Sequence, residues 1–99
     1  MNIIVSGENL EKGPTKDCII FDKNTGEILH IHSVTSFGGV KPRSDEEIEK
    51  EAYSLAGRIR QELSNAKALH LTNVDWDPSK VYKVNPKDMS LVAADVKTT

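Results

Sequence analysis

The chain has 99 residues, a formal net charge of −2 and a single cysteine. This length corresponds to one domain, residues 1–99, with a modest core, and the slightly acidic charge argues against nucleic acid as a partner. One cysteine excludes an internal disulfide, no apolar run approaches the ~20 residues of a membrane span, and no signal peptide is recognisable, so we expect a cytoplasmic protein.

The first third of the chain contains apolar runs that are typical of β-strands. Residues 2–6, 17–22 and 27–37 predict strands, and the polar residues 7–16 predict a loop between the first two. The segment between the second and third strands, Lys23-Asn24-Thr25-Gly26, predicts a tight turn. Gly26 suits the left-handed position of a bulged hairpin, so these two strands are expected to pair directly.

This hairpin is expected to have two apolar faces. Closure of the turn between Lys23 and Gly26 gives three further pairs: Phe21 with Ile28, Ile19 with His30, and Asp17 with His32. One face then carries Cys18, Ile20, Leu29 and Ile31, and the other carries Ile19, Phe21, Ile28 and Val34 with the two histidines. A single helix covers only one face of a sheet. The second face therefore requires cover, either from later strands or from another chain.

The longest regular pattern predicts an amphipathic helix from Ser44 to about Lys67. Its apolar positions recur at steps of three and four: Ile48, Ala52, Leu55, Ala56, Ile59, Leu63 and Ala66. Ser44 and Glu47 have the spacing of a capping box, in which each side chain bonds the other residue's backbone amide. Gly57, within the pattern, is interpreted as a point of close approach to a strand.

Residues 69–74, 81–84 and 89–93 predict three more short strands after the helix. Together the elements indicate an α+β fold. We expect a small, mostly antiparallel sheet of four to six short strands, with one long amphipathic helix packed on one face.

A metal site is one interpretation of the histidines. His30 and His32 are two residues apart on a strand, so both imidazoles point to the same side and could reach one ion such as zinc. Asp17, opposite His32 in the expected register, could be a third ligand or accept a hydrogen bond from a ligating histidine, and His70 could join. Such a site could support hydrolysis. The alternative is that these histidines lie on the surface or at an interface.

Residues 38–44 offer a second candidate, an anion or nucleotide site. Lys41, Arg43 and Ser44 lead into the helix start, whose free amides can hold an anion. The glycines here match neither a Walker loop nor a dinucleotide fingerprint, and Asp45 and Glu46 would repel a phosphate. The alternative is a flexible loop that enters the helix.

No catalytic constellation is recognisable, and Cys18, inside an apolar strand, is interpreted as an inert core residue. We therefore expect a small non-catalytic interaction module, without a cofactor, that forms a homodimer or binds another protein. The residues predicted for its interface are Ile19, Phe21, Ile28, Val34 and Trp76. The alternative for Trp76 is that it folds back onto the core.

Overall fold

The computed structural model describes residues 12–37, 43–59 and 62–95. Its elements are β1 (Lys12–Asp22), β2 (Ile28–Phe37), α1 (Asp45–Ile59), β3 (Ala66–Thr72), β4 (Lys80–Asn85) and β5 (Ser90–Asp95). The strands form two antiparallel sheets, with the orders β2-β1-β3 and β4-β5. The predicted α+β fold is confirmed, whereas the strand predicted at residues 2–6 lies outside the described ranges.

The β1–β2 hairpin closes at the predicted turn. Gly26 has a φ of 82°, the left-handed conformation expected there, and Phe21 lies opposite Ile28 as predicted. A bulge between Ile20 and Phe21 then shifts the register by one residue, so that Ile20 lies opposite His30. The pairs that follow are Ile19 with Ile31, Cys18 with His32, and Asp17 with Ser33. The predicted register is therefore correct at the turn and wrong beyond it.

The helix covers one face of the three-stranded sheet. Cys18 and Ile20 from β1 pack against Ile48 and Ala52 from α1, and all four side chains are fully buried. The predicted capping box is present. The Ser44 hydroxyl accepts a hydrogen bond from the Glu47 amide at 3.2 Å, and the Glu47 carboxylate accepts one from the Ser44 amide at 3.3 Å. These two bonds explain why the helix begins at Asp45.

The helix is shorter than predicted, because α1 ends at Ile59 and Ala66 already begins β3. The amide of Ala66 donates to the carbonyl of Leu63 at 3.0 Å, which closes a turn where the prediction continued the helix. Gly57 is exposed, and a Cβ added there would meet only the Leu63 side chain, at 3.9 Å. The expected close approach of Gly57 to a strand is therefore wrong.

The second face of the sheet is covered by the chain's own β4–β5 hairpin. Ile19, Phe21, Leu69 and Val84 form a separate buried cluster there. Ile19 and Phe21 have no exposed surface, so their predicted place in an intermolecular interface is wrong. Val34, predicted for the same interface, packs instead in the helix-side cluster. The bulge is the reason, since Val34 lies opposite Lys16 and so shares the side of Cys18.

Trp76, in the connection between β3 and β4, contacts both sheets. Its indole N–H donates to the Asp17 carboxylate at 3.0 Å, and its ring meets Tyr82 edge-on with centroids 4.8 Å apart. The amide of Val84 donates to the carbonyl of Gly26 at 2.9 Å, which joins β4 to the hairpin turn. Trp76 thus folds back onto the core, half-buried, as does Ile28 beside it in the second cluster.

Candidate functional site

Two histidines flank the helix on the face that it covers. His32 in β2 and His70 in β3 both lie opposite Cys18, so both side chains share its side of the sheet. His32 Nε2 bonds a Glu51 carboxylate oxygen at 3.1 Å, and His70 Nε2 bonds Glu49 at 2.7 Å. One flank of α1 therefore faces β2 and the other faces β3.

The residues predicted to bind a metal are separated by the sheet. His30 and His32 lie on the helix side, whereas Asp17 lies on the other side, where it is buried and accepts hydrogen bonds from Ser33 and Trp76. Within residues 12–37, 43–59 and 62–95, no three His, Cys, Asp or Glu side chains could hold an ion. The prediction of a shared metal site is therefore wrong, and the register shift is its cause.

His30 stays on the helix side without a carboxylate partner among the described residues. Partial burial lowers the pKa of its imidazole, and the charge of nearby His32 lowers it further. His30 is therefore neutral over most of the physiological range, and it presents an uncharged ring beside the outer edge of β2.

The predicted anion site is not assembled as expected at the helix start. Arg43 donates through both terminal nitrogens to the two carboxylate oxygens of Glu51, one of them at 2.6 Å. The amide and the hydroxyl of Ser44 are both engaged with Glu47. Lys41 lies outside the described ranges. Two of the three predicted residues therefore already have partners within the protein.

The bonds to Glu51 organise this flank of the helix. They lower the pKa of its carboxyl, through the hydrogen bond from His32 first and through Arg43 second. Glu51 therefore stays ionised to a lower pH than an ordinary glutamate, and its carboxylate bonds both the imidazole and the guanidinium.

A surface depression of about 340 Å³ lies on this flank. Its lining residues come from β2, α1 and the residue before the helix cap: His32, Arg43, Glu51, Ser54, Leu55 and Arg58. Arg58 has no ion-pair partner in the part of the chain that the structure describes. Sequence reasoning missed Arg58, although its position seven residues after Glu51 places both on one helix flank.

Cys18 lies between the two histidines but is fully buried. Burial is the main reason why the pKa of its thiol is raised to about 12, and the carboxylates of Glu49 and Asp45 add to the effect. A thiol with this pKa is protonated at neutral pH and is a poor nucleophile. The geometry therefore agrees with a structural role for Cys18.

The outer edge of β2 is the longest uncovered strand edge in the described part of the chain. β2 pairs with β1 on one side only, and among the described residues nothing pairs with its other side. Its sequence, Ile-Leu-His-Ile-His-Ser-Val-Thr-Ser-Phe, contains no Asp, Glu, Lys, Arg or Pro. Ile31 and Phe37 expose 38% and 47% of their surface. The edge is therefore long, uncharged and partly apolar.

Comparisons with known proteins return no match: no family model, no curated protein and no solved structure aligns significantly with this chain. Within the described residues, no helix has the length and apolarity that a membrane crossing requires.

Proposed function

We propose that this protein is a small interaction module that captures an extended segment of a partner on the outer edge of β2. The observation that carries the proposal is the ten-residue strand without a charged residue or proline. Unpaired strand edges offer rows of free N–H and C=O groups, and proteins usually protect them with lysine, proline or a covering element. The absence of charge and proline from β2 favours an edge that is used for pairing.

The other strand edges that are unpaired among the described residues support the choice of β2 by contrast. β3 has seven residues and contains Lys67, and the six-residue β4 contains Lys80 and Lys83. β5 also has six residues and ends at Asp95. Each of these edges is shorter than β2 and carries a charge that discourages strand addition. The interaction expected from the sequence thus moves from the buried face of the β1–β2 hairpin to its edge.

Strand addition explains affinity and selectivity with different groups. Main-chain hydrogen bonds along β2 would supply the affinity. Alternate side chains of the added strand would contact the two faces of the sheet and so provide the selectivity. A strand of ten residues adds little area by itself, so we expect binding in the micromolar range, typical of a transient interaction.

The test is a selection of random displayed peptides on the purified full-length protein, followed by mapping of the selected peptides with ¹⁵N amide spectra and amide hydrogen exchange. The expected result is slower exchange at alternate residues of β2 (Ile28–Phe37), because those amides become bonded to the peptide. Binders that map to another surface, or a selection that yields no binder, would refute the proposal.

Two matched variants locate the contact. Ile31→Lys places a charge on the edge and is expected to weaken peptide binding at least tenfold, since edge lysines oppose strand addition. Val81→Lys places the same charge at an exposed position on β4 and is expected to leave binding unchanged. Circular dichroism must show that both variants are folded.

A further inference from the structure

The positively charged depression lies beside the outer edge of β2. Glu51, Ser54 and Arg58 lie on the helix flank that faces β2, and His32 reaches the depression from that strand. A strand added to β2 would lie about 4.8 Å beyond it. Every second side chain of that strand would point to the side of the sheet where α1 lies, next to the depression.

The charges of the depression are unequal. Arg43 and Arg58 contribute two positive charges, whereas Glu51 contributes one negative charge. Both oxygens of Glu51 already accept hydrogen bonds from Arg43, so its carboxylate is not free to pair with Arg58 in the same way. Among the described residues, the Arg58 guanidinium in the depression therefore has no ion-pair partner, and the Ser54 hydroxyl lies beside it.

We infer that the segment captured by β2 carries an aspartate or glutamate whose carboxylate enters the depression and binds Arg58. This inference rests on the proposed function, since the strand on β2 brings the carboxylate to the site. Planar guanidinium groups bind carboxylates through two parallel hydrogen bonds, which makes an acidic side chain the best match. Leu55 provides an apolar surface for the methylene groups of that side chain.

A second copy of this chain is a poorer occupant than an acidic segment of another protein. If two copies paired through their β2 edges, the added strand would contain no aspartate or glutamate. Its residues on the helix side would include His30 and His32, which cannot neutralise Arg58. Charge complementarity therefore favours a foreign segment with at least one acidic residue.

The size of the effect follows from the partial exposure of the site. An ion pair between partly exposed groups contributes less than about 1 kcal/mol, and two-point binding of a guanidinium lies at the upper end of that range. Because about 1.4 kcal/mol corresponds to a tenfold change in affinity, we expect the acidic residue to improve peptide affinity about threefold to fivefold at low ionic strength. The gain should decrease with added salt, because surface charges are screened.

The experiment compares the strongest selected peptide with a twin in which its acidic residue is replaced by the matching amide. We expect the selected peptides to share an acidic residue at one position, and the amide twin to bind about threefold to fivefold more weakly. Arg58→Gln should abolish this difference while leaving the affinity for the amide twin unchanged. Lys67→Gln, which removes the same charge from β3, should preserve the difference.

The outcomes separate this inference from the proposed function. Peptides that map to β2 but lack an acidic residue, or twins that bind equally well, would overturn the inference and leave the proposed function in place. A homodimer through β2 that excludes the peptides would also overturn the inference. Peptides that map away from β2 would overturn both.

Discussion

A methyl group added at Gly26 should weaken the contact between the β1–β2 turn and β4. Its φ of 82° is unfavourable for any residue with a Cβ, and a Cβ added there would overlap the carbonyl oxygen of Val84. The left-handed conformation costs alanine about 1–2 kcal/mol. The overlap also pushes the turn away from β4, so the hydrogen bond from the Val84 amide to the Gly26 carbonyl is lost.

The expected cost of Gly26→Ala is about 1.5–3.5 kcal/mol of the free energy of unfolding. The estimate combines the backbone strain with a lost hydrogen bond of about 0.5–1.5 kcal/mol. Domains of this size are stable by roughly 5–15 kcal/mol, so the loss is large enough to measure accurately. Urea unfolding followed by far-UV circular dichroism provides the value for the wild type and the variant.

Gly57→Ala is the matched control, because the same substitution should have the opposite effect. Gly57 lies in α1 with a negative φ, and the added methyl group would contact only the side chain of Leu63. Alanine in a helix is favoured over glycine by up to about 1 kcal/mol, so this variant should be more stable. A Gly26→Ala protein within 0.5 kcal/mol of the wild type, roughly the scatter of neutral surface changes, would refute the described approach of Gly26 to β4.

Three further predictions concern buried and ionisable groups. The folded-state pKa of the Cys18 thiol is about 12, above the ordinary 9.0, so the contribution of this thiol to stability is complete below pH 9 and is lost as the pH rises towards 12. Urea unfolding at a series of pH values should show a loss of about 1.4 kcal/mol per pH unit above pH 9. This loss should be absent from Cys18→Ala. Trp76→Phe removes a donor from the buried carboxylate of Asp17, and thermal and urea unfolding should give a loss of about 1–3 kcal/mol; an unchanged midpoint would contradict this account. The hydrogen bond from His32 lowers the pKa of Glu51, so the stabilisation that the Glu51 carboxylate provides is present above pH 4.5 and is lost as the pH falls through the lower folded-state pKa. The difference in unfolding free energy between the wild type and Glu51→Gln should therefore disappear in acid. A difference that persists at the lowest pH would argue against the pairing.

The start of the helix could be predicted from the sequence, whereas its end could not. Ser44 and Glu47 form a local signal whose chemistry depends on three residues of spacing alone. The end lacks such a signal, because the apolar period continues through Leu63 and Ala66. Ala66 does pack on the helix-side core, but it does so from β3. A residue can thus satisfy a helical pattern and still belong to a strand.

The predicted metal site and the predicted exposure of Val34 are wrong because of a single bulge. One extra residue in β2, next to the turn, moves every later side chain of the strand to the other face relative to β1. It brings His32 beside Glu51 and leaves Asp17 on the opposite side of the sheet. Turn chemistry at Gly26 fixes the first pair of the hairpin but does not reveal a bulge beyond it. The position of the bulge depends on the packing of both sheet faces, which no local pattern contains.

The cover of the second face was left open by the sequence for a related reason. Alternation in β4 turns Tyr82 and Val84 inward, and Leu91 of β5 joins them. Each strand is too short to show which surface it covers. Which surface the β4–β5 hairpin covers depends on its three-dimensional fit to the face formed by Ile19 and Phe21.

The order of the elements along the chain has a consequence during synthesis. On the ribosome, β1 and β2 emerge well before β4 and β5. Ile19 and Phe21 therefore remain uncovered until β4 and β5 have been synthesised. An uncovered apolar sheet in a nascent chain attracts chaperones or the same sheet of a neighbouring chain. A translation product that stops before Lys80 keeps this sheet open permanently. The β4–β5 hairpin therefore protects the apolar face of the first sheet, and we expect a product that ends before Lys80 to aggregate rather than to fold with reduced stability.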